Sequence, residues 1–238
     1  MQDLYRSRLR CMSRMRDCVA CPNCPQCDCT VCANCNDCLH CNNCKDVTCS
    51  NVGLNWAFWP IPPEWGTITG FSEEFNADYL KTLVPDLTGT WYDTPFPISA
   101  YCDSEGSAFD FLGQTVLCTH FAVQFRGYIL ADVEGDYTFT GGPNTDDNTI
   151  VWAGNSALYY TRSDAIVDIR YPDIASYTGT YTAQLGEYIP IRIICSQYTY
   201  TFVHNMDIRD PAGNPVKLLH SPCDETGAVQ FPPWGGEI

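Results

Sequence analysis

The run from His120 to Asn155, HFAVQFRGYILADVEGDYTFTGGPNTDDNTIVWAGN, constrains this chain more than any other stretch. Phe121, Val123 and Phe125 alternate with Ala122, Gln124 and Arg126, the period-two pattern of a half-buried strand. Gly127 and the more polar run Ala131 to Gly135 predict a turn, and Asp136 to Thr140 alternates again around Tyr137 and Phe139. Gly141-Gly142-Pro143 then introduces an acidic knot, Asn144-Thr145-Asp146-Asp147-Asn148. It leads into the β-branched and aromatic strand Ile150-Val151-Trp152, closed by Gly154. Adjacent aspartates at a loop apex form an oxygen cluster suited to a hard cation such as Ca²⁺. Asp and Asn also dominate plain solvated turns, through local hydrogen bonds. Spacing alone leaves both readings open.

The rest of the chain continues the strand pattern. GLNWAFW, from Gly53 to Trp59, reads as an apolar strand, and Pro60 to Gly66 as a rigid connector whose prolines bar a central strand. Ser72 to Leu83 is the one helical window. Ser72 would cap it, Glu73 and Glu74 fill its first turn, and Phe75, Tyr79, Leu80 and Leu83 share a face that ends before Pro85. Leu87 to Ala108 reads as loop-rich, with Trp91, Tyr92, Phe96 and Tyr101 packing over the core. Ala157 to Tyr160, Ile166 to Ile169 and Tyr177 to Leu185 read as strands. Ile189 to Ile194 is a strand whose pairing is expected to begin after Pro190. In Tyr198 to Val203, Tyr198, Tyr200 and Phe202 are expected to face away from Thr199, Thr201 and Val203. Short strands with turns at intervals of about ten residues predict an all-β fold, an antiparallel β-sandwich or jelly roll over residues 51–238. Trp152 is expected in its core. Apolar residues make up 45% of the chain, enough for that core to form without disulfides.

Residues 1–50 have a different grammar. A basic leader holds Arg6, Arg8, Arg10, Arg14 and Arg16, and a helix over residues 1–17 is one reading of it. Cysteines then recur in steps of three at Cys18, Cys21, Cys24 and Cys27, and again at Cys29, Cys32, Cys35, Cys38, Cys41 and Cys44, flanked by Cys11 and Cys49. An α-helix would smear such a series around its axis, whereas a three-residue turn keeps each run on one edge. The segment is therefore read as an extended, disulfide-rich stalk. The alternative is a thiolate cluster for Zn²⁺ or Cu⁺. In an extended chain the Cα atoms of residues three apart lie about 9 to 10 Å apart, beyond the roughly 4.4 to 6.8 Å a disulfide spans. Either tight turns or partners in another strand or another copy are needed, and self-association through the array is one outcome. In the β region Cys102 and Cys118, sixteen residues apart around a Gly-containing loop, form a local pair. Closing that loop is worth on the order of 3 kcal/mol. Cys195 and Cys223 remain, to join each other or reach Cys49.

Charge excludes one class of partner. Beyond residue 50 there are seven Lys and Arg against 23 Asp and Glu, a surface that repels phosphate backbones, so no nucleic-acid partner is expected. No apolar run approaches the roughly 18 residues of a membrane span. Met1 is followed by arginines rather than by a signal-type apolar run, and with so many cysteines the chain is read as a mature or trimmed extracellular protein. There is no G-x-S-x-G, H-E-x-x-H or P-loop. His120 and His204 sit at strand ends, as structural histidines do, so no enzyme is expected.

The blocks GYILADVEGDYTFT, Asp146-Asp147, IVWAGN and Tyr188-Ile189-Pro190-Ile191-Arg192-Ile193 together resemble the fungal GLEYA adhesin domain, a relative of the PA14 and flocculin lectin domains. The likeness covers about Asn51 to Asp210, and the naming motif is matched loosely by Gly53-Leu54-Asn55-Trp56-Ala57. It implies a β-sandwich head in which Asp146 and Asp147, joined by a cis peptide, hold Ca²⁺ that binds sugar hydroxyls. It also implies an Asn ligand from a second loop after Ile189 to Ile194. Here that loop reads Cys195-Ser196-Gln197-Tyr198, with Gln197 nearest in place and no glycine-rich extension. Asn144 and Asn148 are auxiliary oxygens, and Tyr198 and Tyr200, with Tyr159 and Tyr160, are candidates to stack on sugar rings or else to pack across strands. The expectation is an adhesin-like carbohydrate-binding module at the cell surface or in the cell wall, binding cell-surface or matrix glycans. The alternative is a structural subunit of a disulfide-linked extracellular fibre or wall layer that binds no sugar.

Overall fold

A computed structural model of the protein describes residues 51–62, 75–92, 96–104, 106–171, 175–223 and 228–237. The chain divides between Ser50 and Asn51, and all described residues belong to the second part. The basic leader, the cysteines from Cys11 to Cys49, the Ser72 cap and residues 63–66 of the connector lie outside them.

In chain order the strands are β1 (Leu54–Pro60), β2 (Leu87–Trp91), β3 (Ile98–Tyr101), β4 (Ala108–Phe111), β5 (Gln114–Leu117), β6 (Phe121–Leu130) and β7 (Gly135–Gly141). They continue as β8 (Asn148–Ala153), β9 (Val167–Arg170), β10 (Tyr177–Ala183), β11 (Tyr188–Gln197), β12 (Thr201–His204), β13 (Met206–Arg209) and β14 (Leu218–Leu219). The large sheet runs β2-β1-β6-β11-β8-β9, with β14 added to β6, and every pairing is antiparallel. A three-stranded sheet β10-β7-β13 and two-stranded sheets β12-β3 and β4-β5 complete it. This is the antiparallel β-sandwich that the alternation predicts. No helix among the described residues is long and apolar enough to cross a membrane.

The large sheet is buried on both faces. On one, Phe121, Val123 and Phe125 pack with Ile189, Ile191, Ile193, Tyr137 and Phe139 against the smaller sheets. On the other, Ala122, Ile150, Trp152 and Ile194 are roofed by Phe75, Leu80, Ala157 and Tyr160, with Phe231 and Trp234 against them. At roughly 1.5 to 3 kcal/mol for each large apolar side chain removed from water, these two layers dominate stability. They also correct the expectation for Phe121 to Arg126, which is fully buried rather than half-buried because non-strand segments cover its second face. The strand does not turn at Gly127. It runs through to Leu130, and the glycine answers instead to β14 paired beside it, since a Cβ there would lie 2.3 Å from the Leu219 carbonyl oxygen.

On the second face two arginines and a glutamate form an ion cluster. Register sets Arg126 directly opposite Arg192, a repulsive pair unless neutralised. Glu237 reaches in from the C-terminal segment and accepts from Arg126 at 2.5 Å and from Arg192 at 2.8 and 3.0 Å. Arg192 also donates to the Ala157 carbonyl, and the Arg126 guanidinium stacks 3.4 Å from the centre of the Trp234 ring.

Several local expectations are corrected. The helical window holds a 3₁₀ helix, Ala77–Thr82, capped by Asn76, whose side chain accepts from the Asp78 amide. Its three-residue turn points Ala77 and Leu80 inward and leaves Tyr79 exposed. Leu87 to Ala108 contains β2 and β3, and Tyr92 and Tyr101 face solvent instead of covering the core. Ala157 and Leu158 belong to a short helix, α1 (Asn155–Leu158). Along β6, β11 pairs from Tyr188 onward and so includes Pro190; only its pairing with β8 starts after the proline, at Ile191. Cys102 and Cys118 are disulfide-bonded, with Cα atoms 6.0 Å apart. Cys195 does not join Cys223. It is a free thiol buried near the end of β11, whereas Cys223 is disulfide-bonded.

Candidate functional site

The loop between β7 and β8 is held from three sides. Gly142 has φ +88°, and a Cβ there would lie 2.6 Å from the Ala175 carbonyl oxygen. Asn205 accepts from the Gly142 amide at 3.2 Å and donates its side-chain amide to the Pro143 carbonyl at 3.1 Å. Asp146 exchanges both backbone hydrogen bonds with Val203 of β12, at 3.0 and 3.3 Å. Asp147 donates its amide to the Ser196 carbonyl at 3.1 Å, and its own carbonyl accepts from the Tyr171 amide at 2.7 Å. The peptide bond joining the two aspartates is cis, the arrangement that the family resemblance implies.

The two carboxyl groups meet. They share a hydrogen bond, Asp147 is buried and Asp146 half-buried, and among the described residues no basic side chain contributes to the charge balance of either. Asp147 Oδ2 accepts from the Tyr198 amide at 2.5 Å. Burial, outweighing that hydrogen bond and reinforced by Asp146, pushes the Asp147 carboxyl up to about 8. Burial also raises Asp146, against the hydrogen bond it gains from Asp147. Beside them, Gln197 is fully buried. Its Nε2 donates to the Thr199 carbonyl at 2.6 Å, while its Oε1 has no hydrogen-bond partner. Register sets Asn148 opposite Ser196, so Asp147 and Gln197 follow level with each other at the ends of their strands. Two uncompensated carboxyls and an orphaned amide oxygen form an all-oxygen donor set of the kind that a hard divalent cation accepts. Among the described residues no three or more His, Cys, Asp or Glu side chains converge, so amide and carbonyl oxygens would have to complete any such shell.

Residues 121–210 match the GLEYA domain family. That stretch, under half of the chain, is similar to a GLEYA domain. The fold agrees beyond it. The A domain of epithelial adhesin 9 from Candida glabrata, solved in complex with Galβ1-3GlcNAc, superposes with a TM-score of 0.56 at 15% identity, covering 74% of this chain and 92% of that one. The A domain of epithelial adhesin 6 from the same yeast, solved with the same disaccharide, gives 0.54 at 18% identity, covering 79% of this chain and 96% of that one. No curated protein sequence matches the chain. The GLEYA match runs from β6 through β13, so β1 and β2 complete its large sheet from outside the matched residues.

Within the matched stretch the structure brings together Asp146, Asp147 and the Gln197 strand end, and turns some other predicted site residues away from them. Asn144 is an exposed turn residue at φ +66°. Asn148 is not available as a ligand. It is fully buried, donates to Ser196 Oγ at 2.8 Å and accepts from Arg162 at 3.5 Å, because strand alternation turns it toward the second face. Tyr160 is core, its hydroxyl bonded to the Ala77 carbonyl and its ring beneath the Arg192 guanidinium, whereas Tyr159 is exposed. Tyr198 is half-buried, edge-on to His120 at 4.6 Å between ring centres. Tyr200 adopts φ +66°, which breaks the expected alternation and leaves it half exposed while Phe202 goes into the core. Thr145 was missed. It is buried beside the aspartates with its hydroxyl unpartnered, and nothing in a Thr within a polar loop signals that.

Proposed function

We propose that this GLEYA-like domain is the carbohydrate-binding module of an extracellular adhesin and that it binds glycans through Ca²⁺. The observation that carries the reading is the adjacent pair of carboxyls of Asp146 and Asp147, drawn out of water with no basic side chain among the described residues to neutralise them. Asp146, Asp147 and the orphaned Gln197 oxygen would hold the ion, and the Tyr198 amide fixes one Asp147 oxygen so that the rest of the carboxylate faces it. When bound, Ca²⁺ supplies open coordination positions that sugar hydroxyls can fill. The chain's own part is to preorganise that set. Backbone pairing to Val203, Ser196 and Tyr171 removes the loop freedom that binding would otherwise have to freeze. The disulfides at Cys102–Cys118 and at Cys223 support an oxidising, extracellular setting.

The test is a glycan array probed with the full chain in Ca²⁺ and again in a Ca²⁺ chelator. Binding lost in chelator, and lost in Asp146→Asn with Asp147→Asn, supports the reading. Glycan binding that survives both would overturn it, as would no binding to any glycan.

A further inference from the structure

Three segments distant in sequence form one open face at the site. Asp146 and Val203 are a mutually hydrogen-bonded pair, Val203 pairs onward with Ser99, and Thr201 pairs with Tyr101. Residues directly paired across antiparallel strands share a face, as do residues two apart along a strand. Asp146, Val203, Ser99, Thr201 and Tyr101 therefore point the same way. The burial pattern agrees, since Ser99 and Tyr101 are exposed and Thr201 and Val203 half-buried, while Phe202 and His204 between them are buried on the reverse. Tyr101, 74% exposed, ends the outer strand of this face. Its backbone is anchored on the C-terminal side. The next residue, Cys102, is tied to Cys118 by a disulfide and donates its amide to the Tyr200 carbonyl at 3.2 Å.

We propose that Tyr101 forms a second sugar subsite, stacking beneath the ring next to the one held at Asp146 and Asp147. With strands about 4.8 Å apart and about 3.4 Å per residue, the Cα atoms of Asp146 and Tyr101 lie roughly 12 Å apart. One pyranose at the loop does not reach the phenol ring, and a disaccharide does. Between them the face offers the hydroxyls of Ser99 and Thr201 and no charged side chain, which suits the polar edge of a neutral glycan. A braced tyrosine loses little freedom on binding and presents an apolar ring face to the C–H face of a sugar. This subsite rests on the carbohydrate reading above, and it makes the domain select for chain length.

The experiment measures affinity of the full chain in Ca²⁺ for methyl galactoside and Galβ1-3GlcNAc, with methyl mannoside and a mannobiose, and methyl glucoside and a glucobiose, in parallel. It compares wild type with Tyr101→Ala, Tyr101→Phe and the Asp146→Asn, Asp147→Asn pair. The expected result is a disaccharide affinity lowered roughly 3- to 10-fold by Tyr101→Ala, restored by Tyr101→Phe, with monosaccharide affinity unchanged. Equal loss for both ligand lengths, or no loss, in a protein whose binding still requires the aspartates overturns the subsite and leaves the carbohydrate reading intact. Absence of binding in wild type, or binding indifferent to the aspartates, overturns both. Circular dichroism of each variant checks that the exposed substitution leaves the fold unchanged.

Discussion

Replacing Glu237 tests how much of the fold depends on the C-terminal segment. Its side chain is 2% exposed and faces two guanidiniums, that of Arg192 at 0% and that of Arg126 at 9%. Burial pulls Arg126 down to about 10 even with Glu237 opposing it, and Arg192 opposite adds to the fall. In Glu237→Gln the amide keeps the shape but leaves two like charges facing each other without an anion. Breaking a buried ion pair on one side costs about 3 to 5 kcal/mol. For a domain of this size each kcal/mol shifts the melting temperature by about 2 to 4 °C. The expected drop is therefore roughly 6 to 20 °C, read by calorimetry or by circular dichroism at fixed pH and salt. Adding Arg126→Met and Arg192→Met to the variant should recover most of it, because apolar residues of similar volume replace a buried ionic cluster at little cost. A shift under about 2 °C in Glu237→Gln would refute the reasoning, since it would mean that water reaches the arginines and the segment contributes little.

Three further outcomes are expected. His204 is fully buried with its Nε2 unpartnered, and burial pulls its pKa down to about 3, so the unfolded chain takes up the proton first. Stability should therefore fall as pH drops below about 6.5, by up to about 1.4 kcal/mol per unit toward pH 3. Urea titrations from pH 8 to 4 should show a shallower fall in His204→Phe; an unchanged slope would place the acid sensitivity elsewhere. Asp147, raised to about 8, acts in the opposite direction: without Ca²⁺ the folded state keeps a proton that the unfolded chain has lost, and stability falls as pH rises toward 8. Asp147→Asn should then stabilise the chelated protein at pH 9 and change little at pH 4, whereas a loss of stability at pH 9 would show that the ionised carboxylate is already compensated. Non-reducing denaturing gels of the full chain should show disulfide-linked multimers that collapse to monomer on reduction if the array from Cys18 to Cys44 joins copies. Monomer alone, with intact mass accounting for every cysteine within the chain, would exclude that role.

What could be read from the sequence was whatever depends on neighbours in the chain. The alternation of Phe121 to Arg126 and of Asp136 to Thr140 located β6 and β7, and the aromatic run before Gly154 located β8. The acidic knot located the aspartates, and the Cys102–Cys118 spacing located a disulfide. The errors fall where distant segments decide. Both faces of β6 are covered, one by segments as remote as Phe231 and Trp234, so a strand expected to be half-wet is dry. Period two cannot report that. Ala157 and Leu158 have the apolar character of a strand, yet they close a helical turn beneath Arg192 because its guanidinium takes the Ala157 carbonyl. Asn148 looked like a ligand because it adjoins two aspartates, and the strand begins at that residue and turns it away.

The site is legible to the same degree and for the same reason. Its chemistry, two adjacent carboxyls, is local. Its wall is not. Val203 lies 57 residues beyond Asp146 and Tyr101 lies 45 before it, and only the pairing of β12 with both the aspartate loop and β3 gathers them onto one face. Tyr101 was expected to cover the core because an aromatic residue in a loop-rich stretch most simply does so. It is exposed instead because β3 alternates, its Ile98 and Ala100 facing inward and its Ser99 and Tyr101 outward. The disulfide after Tyr101 then has a second consequence beyond loop closure. It fixes the end of an outer strand that is paired on one side only, at the point where a rigid ring is most useful. If that is its role, reduction of Cys102–Cys118 should weaken disaccharide binding more than monosaccharide binding, in parallel with Tyr101→Ala.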